Sequence, residues 1–179
     1  MELLENMVLC DSGVVVLRVR TYRDRAGATK TWSYVERKGV REAVVIAART
    51  RTTGSLVMIR QFRVPFGHTL VELPAGLVDP GESLEAAAVR ELGEETGYTG
   101  QVLRVGPALS SSAGLTTETY HMVWMVVDEE PRERHPEDTE SIQVFTVHPA
   151  HARGRLEAWE REGALLDGKA YFVLRSLDS

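Results

Sequence analysis

The chain has 179 residues, enough for one domain with a sizeable core, and its 43% hydrophobic and 26% charged content is that of an ordinary globular protein. A net charge of -5 disfavours non-specific nucleic-acid binding, and no apolar run approaches the roughly 18 residues of a membrane span. The start, MELLENMVLC, is acidic and lacks the basic region of a secretory leader, while the single Cys10 excludes an intrachain disulfide and fits a reducing cytoplasm.

Residues 13–22 (GVVVLRVRTY) are β-branched and then alternate, so they read as a strand. A turn at Asp24-Arg25-Ala26-Gly27 leads to an alternating return strand over 29–37, making an N-terminal antiparallel hairpin. Trp32 on that strand has two readings: cross-strand packing, or a stacking surface for a purine ring. Residues 42–49 and 55–60 are near-continuous apolar runs joined by a Thr-Thr-Gly turn, which predicts buried central strands. Arg63 follows; it either forks onto a phosphate or makes a surface ion pair. Residues 72–75 (ELPA) deliver the chain to a loop at Gly76, where the backbone of Ala75 can approach a ligand closely.

A helix is expected after Pro80-Gly81, with Ser83 as N-cap, Glu85 in the first turn, the helix formers Ala86, Ala87 and Ala88, and Gly97 as the stop. At about 100° per residue, Leu84, Ala88, Glu91 and Glu95 fall on one stripe that begins apolar and ends in carboxylates. Glu94 lies beside it. Like charges at these spacings repel by ~0.2–0.5 kcal/mol per pair, and Gly93 costs the helix about 1 kcal/mol. Either the acidic end is solvated and paired with Arg90, or a hard, oxygen-liganded cation such as Mg²⁺ resolves the conflict.

Downstream, residues 101–105 and 118–128 read as strands around a small-polar loop at 108–117. Residues 129–139 form a charged, proline-containing loop, residues 140–147 another strand, residues 149–161 a helix, and residues 168–175 a short closing segment. His135, His148 and His151 lack metal-ligand spacing, so surface or capping roles are expected.

The pattern G-x5-E-x7-R-E-U-x-E-E-x-G-U, with U a bulky apolar residue, is filled by Gly76, Glu82, Arg90, Glu91, Leu92, Glu94, Glu95, Gly97 and Tyr98. It resembles the signature of the Nudix hydrolases, with Tyr98 where an aliphatic residue is commoner. Further stretches (Thr31-Trp32, QFRVPFGHTLVELPAGLVDPGES and ALSSSAGLTTE) resemble the branch that cleaves ADP-ribose and ADP-sugars.

The resemblance implies an α/β fold: a Nudix-type α/β/α sandwich with a mixed central sheet over 41–179, and a hairpin region over 1–40 used for dimerisation and base stacking. It implies Mg²⁺, with Mn²⁺ as a substitute, held by the Ala75 carbonyl, Glu91 and Glu95 with Glu94 close by. Arg90, paired with Glu82, would orient the glutamates. Trp32 would stack on adenine across a homodimer, and Arg63 would touch the substrate's phosphates or ribose. Glu140, or its neighbours Glu137 and Asp138, would serve as catalytic base. The branch usually carries Pro-Gly in a loop touching the terminal sugar; here the pair is Ala113-Gly114, which frees φ at the first position. The implied activity is hydrolysis of ADP-ribose to AMP and ribose 5-phosphate in the cytoplasm. GDP- or UDP-sugar hydrolysis, and a sensor that binds without turnover, are the competing expectations.

Overall fold

The computed structural model describes residues 1–39, 42–132 and 141–178. Two sheets organise them. The first is an antiparallel meander of β1 (Glu2–Asp11), β2 (Val15–Arg23) and β3 (Thr29–Arg37). The expected hairpin is its β2–β3 half, closed by Asp24, whose carboxylate accepts from the Ala26 and Ala28 N–H groups. β1 extends it beyond the sequence expectation. Every residue of β1 is exposed, including Leu3, Leu4, Met7, Val8 and Leu9.

The second sheet is mixed and eight-stranded. It contains β4 (Glu42–Thr50), β5 (Leu56–Arg63), β6 (His68–Glu72), β7 (Ala75–Leu77), β8 (Gly100–Ser110), β9 (Thr119–Val127), β10 (Ile142–Val147) and β11 (Leu165–Leu166). Helix α1 (Leu84–Thr96) covers one face. Helices α2 (Ala152–Glu162) and α3 (Gly168–Arg175) cover the other. β4 shows why its sequence is a continuous apolar run. Val44, Ile46 and Ala48 pack with Ala87, Ala88 and Leu92 of α1, while Val45 and Ala47 join the cluster around Trp159 and Leu174. A strand covered on both faces has no polar side to alternate with.

The sheet forks at its centre. β4 and β5 share the ladder pair Arg49↔Leu56 and then part. β7 takes the vacated edge of β4, pairing Ala43↔Leu77 through Val45↔Ala75. β10 takes the edge of β5, from Val147↔Leu56 to Ile142↔Gln61. β6 carries no expectation from sequence, β7 falls where a lead-in and loop are expected, and β8 runs on through residues 108–110 of the expected loop. The 149–161 helix begins as a 3₁₀ turn over Pro149–His151, capped by the His148 ring, and becomes α-helical at Ala152.

α1 ends as its sequence implies. Ser83 Oγ accepts from the Ala86 N–H, and Gly97 adopts φ +76° with its N–H on the Gly93 carbonyl. A second demand falls on Gly97: its carbonyl accepts from the Arg132 N–H at 2.8 Å, and a Cβ there would lie 2.3 Å from the Arg132 carbonyl oxygen. The left-handed backbone costs an L-residue about 1–2 kcal/mol, and the clash is with backbone that cannot rotate away. Gly97→Ala is therefore expected to destabilise by at least about 2 kcal/mol, a Tm loss of roughly 5 °C for a chain of this size. An unchanged melting curve would show that the 131–132 segment yields freely.

Candidate metal and substrate site

β7 has two different edges. Ile46 N–H bonds the Pro74 carbonyl and Val78 N–H bonds the Glu42 carbonyl, so the backbone groups of residues 74, 76 and 78 face β4. By alternation those of Ala75 and Leu77 face the other way, toward α1. Side chains of α1 take the place of a neighbouring strand there. Ala75 N–H donates to Glu95 Oε2 at 3.1 Å, and Arg90 Nη2 donates to the Leu77 carbonyl at 2.9 Å. The Ala75 carbonyl lies on the same edge as its N–H, beside Glu95, which is only 4% exposed.

Gly76 is fixed by space. A Cβ at this position would sit 1.8 Å from the carboxyl carbon of Glu91. The carboxylate of Glu91 thus rests on bare backbone, one helical turn from Glu95.

Arg90 ties the group together. Its Nε and Nη2 fork onto Glu82 at 3.0 and 2.9 Å, and its Nη1 donates to Glu91 at 2.8 Å and Glu94 at 3.2 Å. The guanidinium holds the Glu82 carboxyl below its ordinary range, helped by the Asp79 N–H and opposed by desolvation. Glu82 in turn raises the pKa of Arg90, with Glu91 adding to the effect. Glu94 is the outermost of these carboxylates, its side chain 52% exposed.

The donor set suits a hard cation. Glu91, Glu95 and the Ala75 carbonyl supply only oxygens, the ligand type Mg²⁺ takes. Among the described residues no three acidic, histidine or cysteine side chains converge on one point. Two carboxylates and one carbonyl leave coordination positions for water and phosphate oxygens, which is how Mg²⁺ is usually held beside a phosphorylated substrate.

A second cluster lies at the N-terminal sheet. Trp32 is 53% exposed and donates its indole N–H to the Gly114 carbonyl at 2.8 Å. Trp32, Ala113 and Gly114 line one cavity of about 370 Å³. The loop carrying Ala113 and Gly114 is pinned to β3: Val35 N–H bonds the Leu115 carbonyl, Thr117 N–H bonds the Val35 carbonyl, and Arg37 pairs with Glu118 at 2.7 Å.

Arg63 stands in neither cluster. Its guanidinium forks onto Glu72, a carboxylate only 6% exposed, on the wall of a separate cavity of about 300 Å³ that reaches Leu165–Gly168. Arg63 is thus in an ion pair, but with a buried carboxylate rather than a surface one. Glu72 was not singled out from sequence; its one signal was an acid inside an apolar stretch. Glu140, Glu137 and Asp138 lie outside the described residues.

A mixed sheet between helices, carrying a glycine-seated glutamate pair under one arginine, defines a loop–helix centre of the Nudix type. Residues 39–166 match the family model described as NUDIX domain, and the chain belongs to the Nudix hydrolase family. The mouse ADP-sugar pyrophosphatase is 36% identical over 165 residues, covering 84% of this chain and 75% of that protein. The ADP-ribose pyrophosphatase of Bacillus subtilis is 38% identical over 138 residues, covering 75% and 71%. Among solved structures, one titled as an ADP compounds hydrolase superposes with a TM-score of 0.74 at 25% identity, over 87% of this chain and 82% of that one.

The Gly76 contact yields a separable prediction. In Gly76→Ala the atoms displaced are the end of a flexible side chain, so the fold should survive. Glu91 must swing away from Glu95, and affinity for Mn²⁺ is expected to weaken roughly tenfold to a hundredfold. Calorimetric titration with the metal, beside a thermal melt, reads both. Wild-type affinity in a folded variant would mean that Glu91 does not need its seat.

Proposed function

We propose that the protein hydrolyses the pyrophosphate bond of ADP-ribose, and of other ADP-sugars, releasing AMP and the sugar phosphate (ribose 5-phosphate from ADP-ribose). The observation that carries the reading is the oxygen-lined edge formed by Ala75, Glu91 and Glu95. The names borne by its Nudix relatives supply the substrate class.

In this reading Ala75, Glu91 and Glu95 hold Mg²⁺, or Mn²⁺ in its place, with Glu94 near. The bound cation supplies neutralisation of phosphate charge and a more acidic water. Arg90 keeps the glutamates in register, and Glu82 fixes Arg90. Trp32 stacks on the adenine across the homodimer, and Ala113 and Gly114 meet the terminal sugar of the substrate bound at their own protomer's centre. Arg63, braced by Glu72, would meet a phosphate or ribose only where the substrate reaches its separate cavity. Water attacks one phosphorus, the bridging P–O bond breaks toward the other phosphate, and Glu140 takes the proton of the attacking water. Such base assistance is worth about 10²–10⁴-fold.

The protein acts as a homodimer in this reading, supported by the exposed apolar side chains of β1 at an open sheet edge. No described helix is long and apolar enough to cross a membrane, and the one cysteine, Cys10, is an exposed free thiol. The thiol supports a cytoplasmic location, and the net charge of -5 speaks against nucleic acid as a partner.

One observation favours a second reading. Ala113 stands where the ADP-ribose branch carries proline, so a GDP- or UDP-sugar is the alternative substrate. A turnover panel of ADP-ribose, ADP-glucose, GDP-mannose and UDP-glucose with Mg²⁺ tests both. ADP-ribose is expected to give nucleoside monophosphate fastest, and EDTA to abolish its release. Faster turnover of a GDP- or UDP-sugar would transfer the assignment; binding without turnover would make the protein a sensor. Glu95→Gln keeps the side-chain shape and is expected to lower kcat at least about a hundredfold with an unchanged Tm, because charge stabilisation by a metal is worth several kcal/mol. Near-normal turnover in that variant would remove Glu95 from the centre.

A further inference from the structure

The face of the N-terminal sheet that carries Trp32 also carries Arg20. The two residues are directly paired across β2 and β3, so their side chains lie on one side of the sheet. Tyr22 and Tyr34 follow at the alternating positions, and all four line the 370 Å³ cavity. The Trp32 indole is held by its edge on the Gly114 carbonyl, which leaves its faces for contact.

Arg20 is braced rather than loose. Its Nη2 donates to the Tyr34 hydroxyl at 3.2 Å, its guanidinium carbon stands 5.3 Å from the centre of that ring, and the Tyr34 hydroxyl donates onward to Asn6 Oδ1 at 3.0 Å. Tyr34 is itself buried. Among the described residues the other N–H groups of Arg20 have no partner. A half-buried guanidinium positioned by a buried tyrosine, on the wall of an aromatic cavity, offers donors and no acceptor to whatever enters.

We propose that Arg20 is a further substrate-binding residue of the nucleotide site, donating a hydrogen bond to a ring-nitrogen acceptor on the edge of the purine held against Trp32. This rests on the proposed reading that the adenine of the substrate lies in this cavity. Purines carry such acceptors at N3 and N7, and adenine also at N1. A group that only donates is matched by those nitrogens and opposed by the exocyclic amine. Tyr34 is a positioning residue for Arg20.

The test is a double-substitution cycle between protein and ligand. Dissociation constants are measured by calorimetry, in EDTA so that no hydrolysis occurs, for ADP-ribose and its 1-deaza, 3-deaza and 7-deaza analogues. The proteins are wild type, Arg20→Ala and Tyr34→Phe. A charge-assisted hydrogen bond predicts that Arg20→Ala weakens ADP-ribose binding roughly tenfold to a hundredfold. It also predicts that one deaza analogue binds the wild type as weakly, and that Arg20→Ala binds that analogue and ADP-ribose alike. Tyr34→Phe should show the same pattern at smaller amplitude. An equal loss for all four ligands, no loss, or no measurable binding of ADP-ribose by the wild type overturns the inference. The functional reading fails separately: binding with the expected cycle but without turnover in Mg²⁺ sinks hydrolysis and leaves Arg20 standing.

Discussion

Arg90 is the cation on which the centre depends. It reaches Glu82, Glu91, Glu94 and the Leu77 carbonyl at once. Without it, α1 would carry glutamates at three- and four-residue spacings near its C-terminal end, where the macrodipole favours cations. The opposing shifts of Glu82 and Arg90 mean that both stay charged across the physiological range. Charge also becomes geometry here. The forked pairing with Glu82 fixes the guanidinium plane, and the plane fixes where Nη1 and Nη2 point. A lysine has three donors on one nitrogen and no plane, so it could not serve a loop, a helix and a strand together.

The fork between β4 and β5 supplies what Arg90 organises. A strand inside a regular sheet spends both edges on neighbours. β7 spends one edge on β4 and offers the other to Glu95 and Arg90. Two backbone groups on that edge, the Ala75 N–H and the Leu77 carbonyl, are met by ionised side chains, which brings a carboxylate beside the Ala75 carbonyl. Gly76 then admits Glu91 to the same edge, because only a residue lacking Cβ leaves the room. Packing, backbone pairing and ligand chemistry are three consequences of that one displaced strand.

What was legible in the sequence follows from how local each feature is. Ser83 and Gly97 announced the two ends of α1, and the box spacing announced the carboxylate stripe, because caps and helical period act within a few residues. β4 was legible from its double-sided apolar run. β1 was not: with every residue exposed, it leaves no burial pattern to read. β6 is five residues between Gly67 and Pro74, too short for a period to show. β8 continues into the small polar residues 108–110 because β9 pairs with them regardless of composition. The bond from Trp32 to Gly114 spans 82 positions, and the pairing of Arg20 with Trp32 needs the register of a hairpin. Neither is encoded at any local spacing. The family signature covers the glutamate cluster on α1 and says nothing of the aromatic cavity at β3.

The cluster and the cavity are nevertheless joined by backbone. Gly114, Leu115 and Thr117 are held by Trp32 and Val35 of β3. Two residues further on, Thr119 begins β9 in register with Glu42 of β4. The Glu42 carbonyl accepts from Val78, the residue that follows β7. A run of hydrogen bonds, strand pairing and intervening backbone therefore leads from the aromatic cavity to the edge that seats Glu91 and Glu95. The N-terminal sheet is linked to the rest of the described chain through the loop that carries Gly114, by way of Trp32, Val35 and Arg37 of β3. The run also bears on Ala113. Proline would stiffen that loop by fixing one φ angle, but here the neighbouring backbone is already fixed at three points. The structural consequence of alanine is then less a floppier loop than a change of side chain at the cavity wall.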